Sequence, residues 1–221
     1  MNPGLLFLTE CIGVVAFALS GAAKAIDKDL DLFGIIVLGV TTASGGGVVR
    51  DLLLGVTPPA MFQNPVYAEL ALFTSLSMFL LVRYGFGSPY ARRRLDRVIE
   101  LCDAVGLGIF AVTGAHAAIA AGYGDNGFLA VFVGTLTGVG GGMLRDIMAR
   151  EIPFVLTKNI YALAALAGAY LYDHLQAAGV SAAMTAGATL TFVIRLLAER
   201  FGWQLPRAHP KEPIPRKEEI L

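Results

Sequence analysis

Charge is scarce in this chain of 221 residues. Only 15% are Asp, Glu, Lys or Arg, against roughly a quarter in an average soluble domain. Seventeen basic residues offset seventeen acidic ones and no basic patch interleaves with aromatics, so nucleic acid is excluded as a partner. Cysteine is nearly absent: Cys11 and Cys102 form no CxxC spacing, and His116, His174 and His209 stand singly, which leaves zinc and dithiol chemistry without ligands. Patterns of the G-x-S-x-G, H-E-x-x-H and phosphate-loop kinds are missing, so an enzyme is the least supported class. No basic segment precedes the first apolar run and no A-x-A-like site follows it, so that run is expected to stay in the chain. What is plentiful is apolar sequence, at 56% with a mean hydropathy of +0.66. It is gathered into runs of about 20 residues, the length that crosses a bilayer.

Seven such runs are expected as membrane helices, at about 3–24, 32–54, 61–83, 98–121, 126–149, 157–173 and 179–200. The fold class is thus an all-α membrane protein, with a transmembrane domain over 1–202 and a disordered cytoplasmic tail over 203–221. That tail combines Pro206, Pro210, Pro213 and Pro215 with Lys, Arg and Glu and has little to bury. With seven crossings, fifteen of the seventeen Lys and Arg fall on one face, and the two exceptions, Arg50 and Arg145, lie inside spans. Juxtamembrane basic residues are retained in the cytoplasm, so the N-terminus is expected outside and the C-terminus inside a prokaryotic inner membrane.

The chain also repeats itself. Glu10-x2-Gly13-x3-Phe17-x2-Ser20-Gly21 recurs as Asp103-x2-Gly106-x3-Phe110-x2-Thr113-Gly114. Thr42-x-Ser44-Gly45-Gly46-Gly47-Val48-Val49-Arg50-Asp51 recurs as Thr137-x-Val139-Gly140-Gly141-Gly142-Met143-Leu144-Arg145-Asp146. Pro58 and Pro153 follow, and Tyr67-Ala68 answers Tyr161-Ala162, all at an offset of 93 to 95 residues. Repeat one covers about 3–84 and repeat two about 98–174, with the last helix, about 179–202, outside both. Three spans per repeat is an odd number, so the copies are expected to enter the membrane in opposite directions, as in many transporters. Cys11 and Cys102 then lie toward opposite surfaces, too far apart to bridge.

Three consecutive glycines near mid-membrane weaken a helix by about 1 kcal/mol each relative to Ala. Two readings are open: close helix packing, or a break that turns the carbonyls of Thr41, Thr42 and Ala43 and the amides around Gly47 into a polar path, repeated at Thr137, Gly138 and Gly140 to Gly142. Arg50-Asp51 and Arg145-Asp146 point to a site at membrane depth, where an ionisable group costs on the order of 2.5 kcal/mol unless partnered. Neighbours on a helix point about 100° apart. Depth therefore predicts the pairs Glu10 with Arg50 and Asp103 with Arg145, one at each mouth. Lys24 falls near the Glu10 face, where it lines the mouth or snorkels. His116 points away from this face, toward an interface.

The doubled Gly-Gly-Gly-x-x-Arg-Asp motif at 45–51 and 140–146, on a seven-span chain, resembles the prokaryotic members of the trimeric intracellular cation channel family, TRIC, which is also catalogued as a glycine transporter domain. The resemblance covers about residues 5–200. It implies a homotrimer with a pore in each protomer, bent at the glycine runs and passing K+ and Na+. It also implies that Ser44 to Gly47, Arg50, Asp51, Gly140 to Gly142, Arg145 and Asp146 line or gate that pore. The second copy has Val139 where the first has Ser44, so the two halves of a constriction differ in polarity. No cofactor is expected; the partners are further copies, membrane lipid, including bound lipid, and the permeant ions. From the residues alone, a channel, a secondary transporter of glycine or another small zwitterion, and a structural membrane protein all stay open.

Overall fold

The computed structural model describes residues 3–85, 91–157, 160–203 and 205, and all the regular structure among them is helical. In chain order the helices are α1 (Pro3–Asp27), α2 (Leu32–Leu53), α3 (Ala60–Gln63), α4 (Val66–Gly85), α5 (Ala91–Ala118), α6 (Gly127–Met148), α7 (Phe154–Thr157), α8 (Tyr161–Leu175) and α9 (Val180–Phe201). Six of them, α1, α2, α4, α5, α6 and α9, are long and apolar enough to cross a membrane. The segment expected as the sixth span is α8, whose 15 residues reach only about 22 Å at 1.5 Å per residue. The chain is thus an all-helical membrane protein with six full-length apolar helices among the described residues. Apart from Trp203 and Leu205, the expected tail lies outside the described residues.

Local chemistry sets the ends of α2 and α6 in the same way. Asp31 and Asn126 cap the N-termini, their side chains accepting from the Gly34 and Leu129 amides at 2.8 and 3.0 Å. At the other end Gly55 (φ 72°) and Arg150 (φ 56°) adopt the left-handed conformation. The next amides, of Val56 and Glu151, then reach back to the Asp51 and Asp146 carbonyls, each at 2.8 Å, which is a Schellman close. One repeat uses glycine there; the other holds an arginine in a conformation that glycine adopts more readily.

The centre is built by exchange between the copies. The rings of Phe17 and Phe110 lie 5.1 Å apart between centroids, and each abuts the glycine of the other helix, Gly106 and Gly13. Thr42 Oγ1 sits 2.5 Å from where a β-carbon on Gly21 would be, and Thr137 Oγ1 takes the same place against Gly114. Helix α5 occupies the middle of the bundle, with 61% of its apolar stretch buried against 22% for α4.

The glycine runs do not break their helices. Both α2 and α6 are continuous through Gly45–Gly47 and Gly140–Gly142, so the expected unwinding, with carbonyls of Thr41, Thr42 and Ala43 turned into a path, is corrected. The runs instead let two backbones touch. A β-carbon on Gly46 would collide with the Thr137 carbonyl oxygen, one on Gly141 with the Thr42 carbonyl oxygen, and one on Gly140 would lie 3.0 Å from Gly46 Cα. Packing at this crossing offsets the low helix propensity of glycine, while both helices run unbroken through the glycines.

Candidate functional site: two unequal mouths

The crossing of α2 and α6 divides the molecule, and an Arg-Asp pair lies on either side of it. In each pair the arginine Nε donates to the very next residue, Arg50 to Asp51 at 2.7 Å and Arg145 to Asp146 at 2.8 Å. The expectation that these arginines pair only with distant acids is therefore corrected. The second carboxylate oxygen explains why: Asp51 Oδ2 accepts from the Ala60 amide and Asp146 Oδ2 from the Phe154 amide, both near 2.8 Å (2.7 and 2.8 Å). Each aspartate thus ties the returning loop to the helix end and turns its other oxygen onto the preceding arginine. All four residues are at least nine-tenths buried.

At the first mouth a partly open cavity of about 50 Å³ is lined by Glu10, Ser44, Gly47, Arg50, Asp51 and Tyr67, with Phe110 of the central pair also in its wall. Glu10 is half-buried. It accepts from the Tyr67 hydroxyl at 2.6 Å and does not pair with Arg50, so the expected Glu10–Arg50 bridge is corrected: Asp51 is nearer and already fixed by the loop. Ser44 Oγ donates to the Val40 carbonyl at 2.7 Å, which leaves its lone pairs for the cavity. A β-carbon on Gly47 would meet only Arg50 Nη2, at 3.9 Å.

The second mouth is filled. Asp103, Arg145 and Asp146 have no exposed surface and Tyr161 only 1%. Arg145 Nη1 donates to Asp103 at 2.6 Å and to Ser20, from the other repeat, at 2.5 Å. The Phe154 ring lies over the Arg145 guanidinium, 4.9 Å from its centroid. Gly142 is enclosed, with the Tyr161 hydroxyl and Asp103 Oδ1 at 2.8 and 3.3 Å from where a β-carbon would sit. Asp103 Oδ2, Arg145 Nη2, Tyr161 Oη and Arg195 Nε are buried without a hydrogen-bond partner among the described residues, so this cluster keeps unused polar capacity.

The loop over this mouth is clasped from α1. Glu151 receives both Lys24 and Lys28, each at 2.5 Å, and the Lys24 ammonium also lies 6.0 Å from the Phe154 ring centroid. Burial alone would raise the pKa of Glu151, but hydrogen bonds and charge from the two lysines hold it below the usual carboxylate value. Lys24 therefore belongs to the Asp103 mouth and not to the Glu10 face.

The remaining expected residues divide cleanly. Thr42, Gly45, Gly46, Thr137, Gly138, Gly140 and Gly141 are buried at helix crossings, whereas Ser44 and Gly47 line the cavity. His116 is half-buried, and its Nδ1 lies 2.7 Å from the Tyr172 hydroxyl and joins α5 to α8. Cys11 and Cys102 are free and line one apolar groove. Sequence reasoning named Ser20 only as a repeat position and passed over Ala60, Glu151, Phe154 and Arg195 as site residues. Arg195, 4% exposed, sets its guanidinium 4.9 Å from the Tyr161 ring centroid. A stripe of Gly187, Thr191 and Arg195 at every fourth residue marks the buried face of α9 and was the available signal. Among the described residues no group of His, Cys, Asp and Glu could hold a metal ion.

Comparison with known proteins places this geometry. A family model described as "Glycine transporter" matches twice, over residues 7–83 and 100–177, once for each repeat. A UPF0126 membrane protein of Deinococcus radiodurans is 41% identical over 93% of both chains. The UPF0126 inner membrane protein YadS of Escherichia coli (strain K12) is 36% identical over 91% of this chain and 95% of its own. Among solved structures, a chain from work on conductance through TRIC cation channels is 38% identical, with a TM-score of 0.78 over 93% of this chain and 98% of that one. The TRIC trimeric intracellular cation channel orthologue from Rhodobacter sphaeroides is 34% identical, with a TM-score of 0.81 over 90% of this chain and 99% of that one.

Proposed function

From the premise that this chain belongs to the TRIC family, whose model carries the description "Glycine transporter", we propose that it conducts monovalent cations, K+ and Na+, through a pore in each protomer of a homotrimer. The pore runs from the Glu10 mouth past the α2–α6 crossing to the Asp103 mouth. The protein sits in the prokaryotic inner membrane with the Glu10 mouth outside, and α8 with its flanking turns completes seven crossings, leaving the C-terminus inside.

One observation carries the cation reading: both arginines along this route are neutralised where they stand, Arg50 by Asp51 and Arg145 by Asp103 and Asp146. Two bare guanidinium groups would repel a cation strongly at membrane depth; paired ones do not. The described conformation corresponds to a shut pore, with the outer mouth wettable and the inner one sealed by Phe154. Planar-bilayer recording on purified protein tests this. Unitary currents beyond about a million ions per second, with a reversal potential following the K+ gradient, are expected, and no alternating-access cycle reaches that rate.

The inequality of the two mouths also favours a second reading. One gate open and one closed is what a carrier of glycine or another small zwitterion shows at each stage of its cycle. Saturable glycine uptake into liposomes without unitary current would establish that reading and remove the first.

A further inference from the structure

We propose that Glu10 is the residue that makes the outer mouth prefer cations over anions, with Tyr67 as the residue that positions it. The inference rests on the channel reading above and goes further by assigning charge selection to one side chain.

Three charged groups line the cavity: Glu10, Arg50 and Asp51. Arg50 and Asp51 cancel, being in contact at 2.7 Å and 8% and 4% exposed. Both Asp51 oxygens are already engaged, Oδ1 by Arg50 and Oδ2 by the Ala60 amide, and the side chain is almost fully buried. Glu10 stands apart. Among the described residues no Lys or Arg nitrogen comes within ion-pairing distance of it, and its sole hydrogen bond in the structure is the one Tyr67 donates to Oε2. The cavity therefore carries one net negative charge, on a half-buried carboxylate whose Oε1 has no hydrogen-bond donor among the described residues. In a wall of low dielectric such a charge concentrates cations and excludes anions far more effectively than it would in bulk water.

The mirror position shows what would cancel this property. Asp103, the equivalent of Glu10, shares Arg145 with Asp146 at 2.6 and 2.8 Å and has no exposed surface, and its neighbour Tyr161 is sealed in with it. Of the two acids, Glu10 is thus the one that an ion in a cavity can reach. Tyr67 contributes by holding the carboxylate against the cavity wall: a phenol donating to Oε2 fixes the rotamer without neutralising the charge.

The test uses the full chain, recorded in planar bilayers under a KCl gradient, and reads the K+ to Cl− permeability ratio from the reversal potential. Glu10→Gln should lower that ratio by on the order of tenfold, the change that follows from losing one unit charge beside the ion's route. Glu10→Asp should keep it, and Tyr67→Phe should keep the preference while altering unitary current. A Glu10→Gln channel with the wild-type ratio overturns the assignment and leaves the channel reading standing. Wild-type protein without unitary current overturns the channel reading itself. If Glu10→Gln does not assemble, Ser44→Lys offsets the same charge from the α2 wall and must depress the ratio likewise; an unchanged ratio there overturns the inference too.

Discussion

The two mouths descend from one sequence pattern and differ in what closes over them. Each has an acid on the first helix of its repeat, a tyrosine on the third, and an Arg-Asp pair at the end of the second helix. In each, the aspartate pins the amide that opens a short helical turn. At the Glu10 mouth that amide belongs to Ala60; at the Asp103 mouth it belongs to Phe154, whose ring covers Arg145. A methyl group leaves a cavity where an aromatic ring leaves none. The spacing differs by one residue, nine from Asp51 to Ala60 and eight from Asp146 to Phe154. A duplicated scaffold is thus asymmetric in the side chain that opens the turn and in one loop position, beside the exchanges of Glu10 for Asp103 and Ser44 for Val139.

The sharpest way to break that comparison is to exchange the two side chains. Phe154→Ala should unseal the Asp103 mouth and raise open probability in bilayers by on the order of tenfold, because a shift of about 1.4 kcal/mol between two states suffices for that. Ala60→Phe should do the reverse, filling the Glu10 mouth and lowering unitary current severalfold. Equal currents in wild type and both variants would show that neither residue controls a mouth.

The third glycines offer a smaller contrast, in stability. Gly142→Ala places a methyl 2.8 Å from the Tyr161 hydroxyl inside a full cluster, and overpacking of this kind costs about 1–3 kcal/mol. At Gly47 the same change meets only the far end of Arg50. There it should be neutral or slightly stabilising through helix propensity, by at most about 1 kcal/mol. Thermal denaturation in detergent should therefore separate the two variants by several degrees; matching midpoints would mean that the Asp103 mouth is not packed as described.

Much of this was legible in the sequence, for reasons that also explain the rest. The repeat, the six long apolar helices and the Asp103–Arg145 pair follow from spacing, because a helix converts spacing directly into depth. Three features did not follow. Glycine runs weaken a helix and also let helices approach, and only the partner decides between these effects; here Gly46 and Gly141 each receive the other helix's carbonyl, so the helices stay whole. The pairing of Arg50 with Asp51 depends on where a loop returns, and a loop's path is not periodic. Arg195 was hidden because a lysine or arginine near a span end also serves topology, and its burial is visible only once α9 is seen packed on Tyr161.

The smallest effect concerns the clasp on the filled mouth. Glu151 joins the Phe154 loop to Lys24 and Lys28, and such partly exposed pairs contribute about 0.2–1 kcal/mol each. Its pKa is lowered in the folded protein. The clasp is therefore fully present above the ordinary carboxylate pKa and is lost as pH falls through the depressed folded value. Acidification from neutral pH to the edge of the carboxylate range should leave the clasp intact, and only stronger acid on the side bearing Glu151 should loosen it. Glu151→Gln should reproduce the loosened state at neutral pH, raising open probability by about fivefold at most, with a gain that shrinks at high salt because the wild-type pairs are screened there. A wild-type channel that opens on mild acidification, while Glu151→Gln behaves as wild type at every pH, would place the closing force in Phe154 alone and make the salt bridges incidental to the asymmetry.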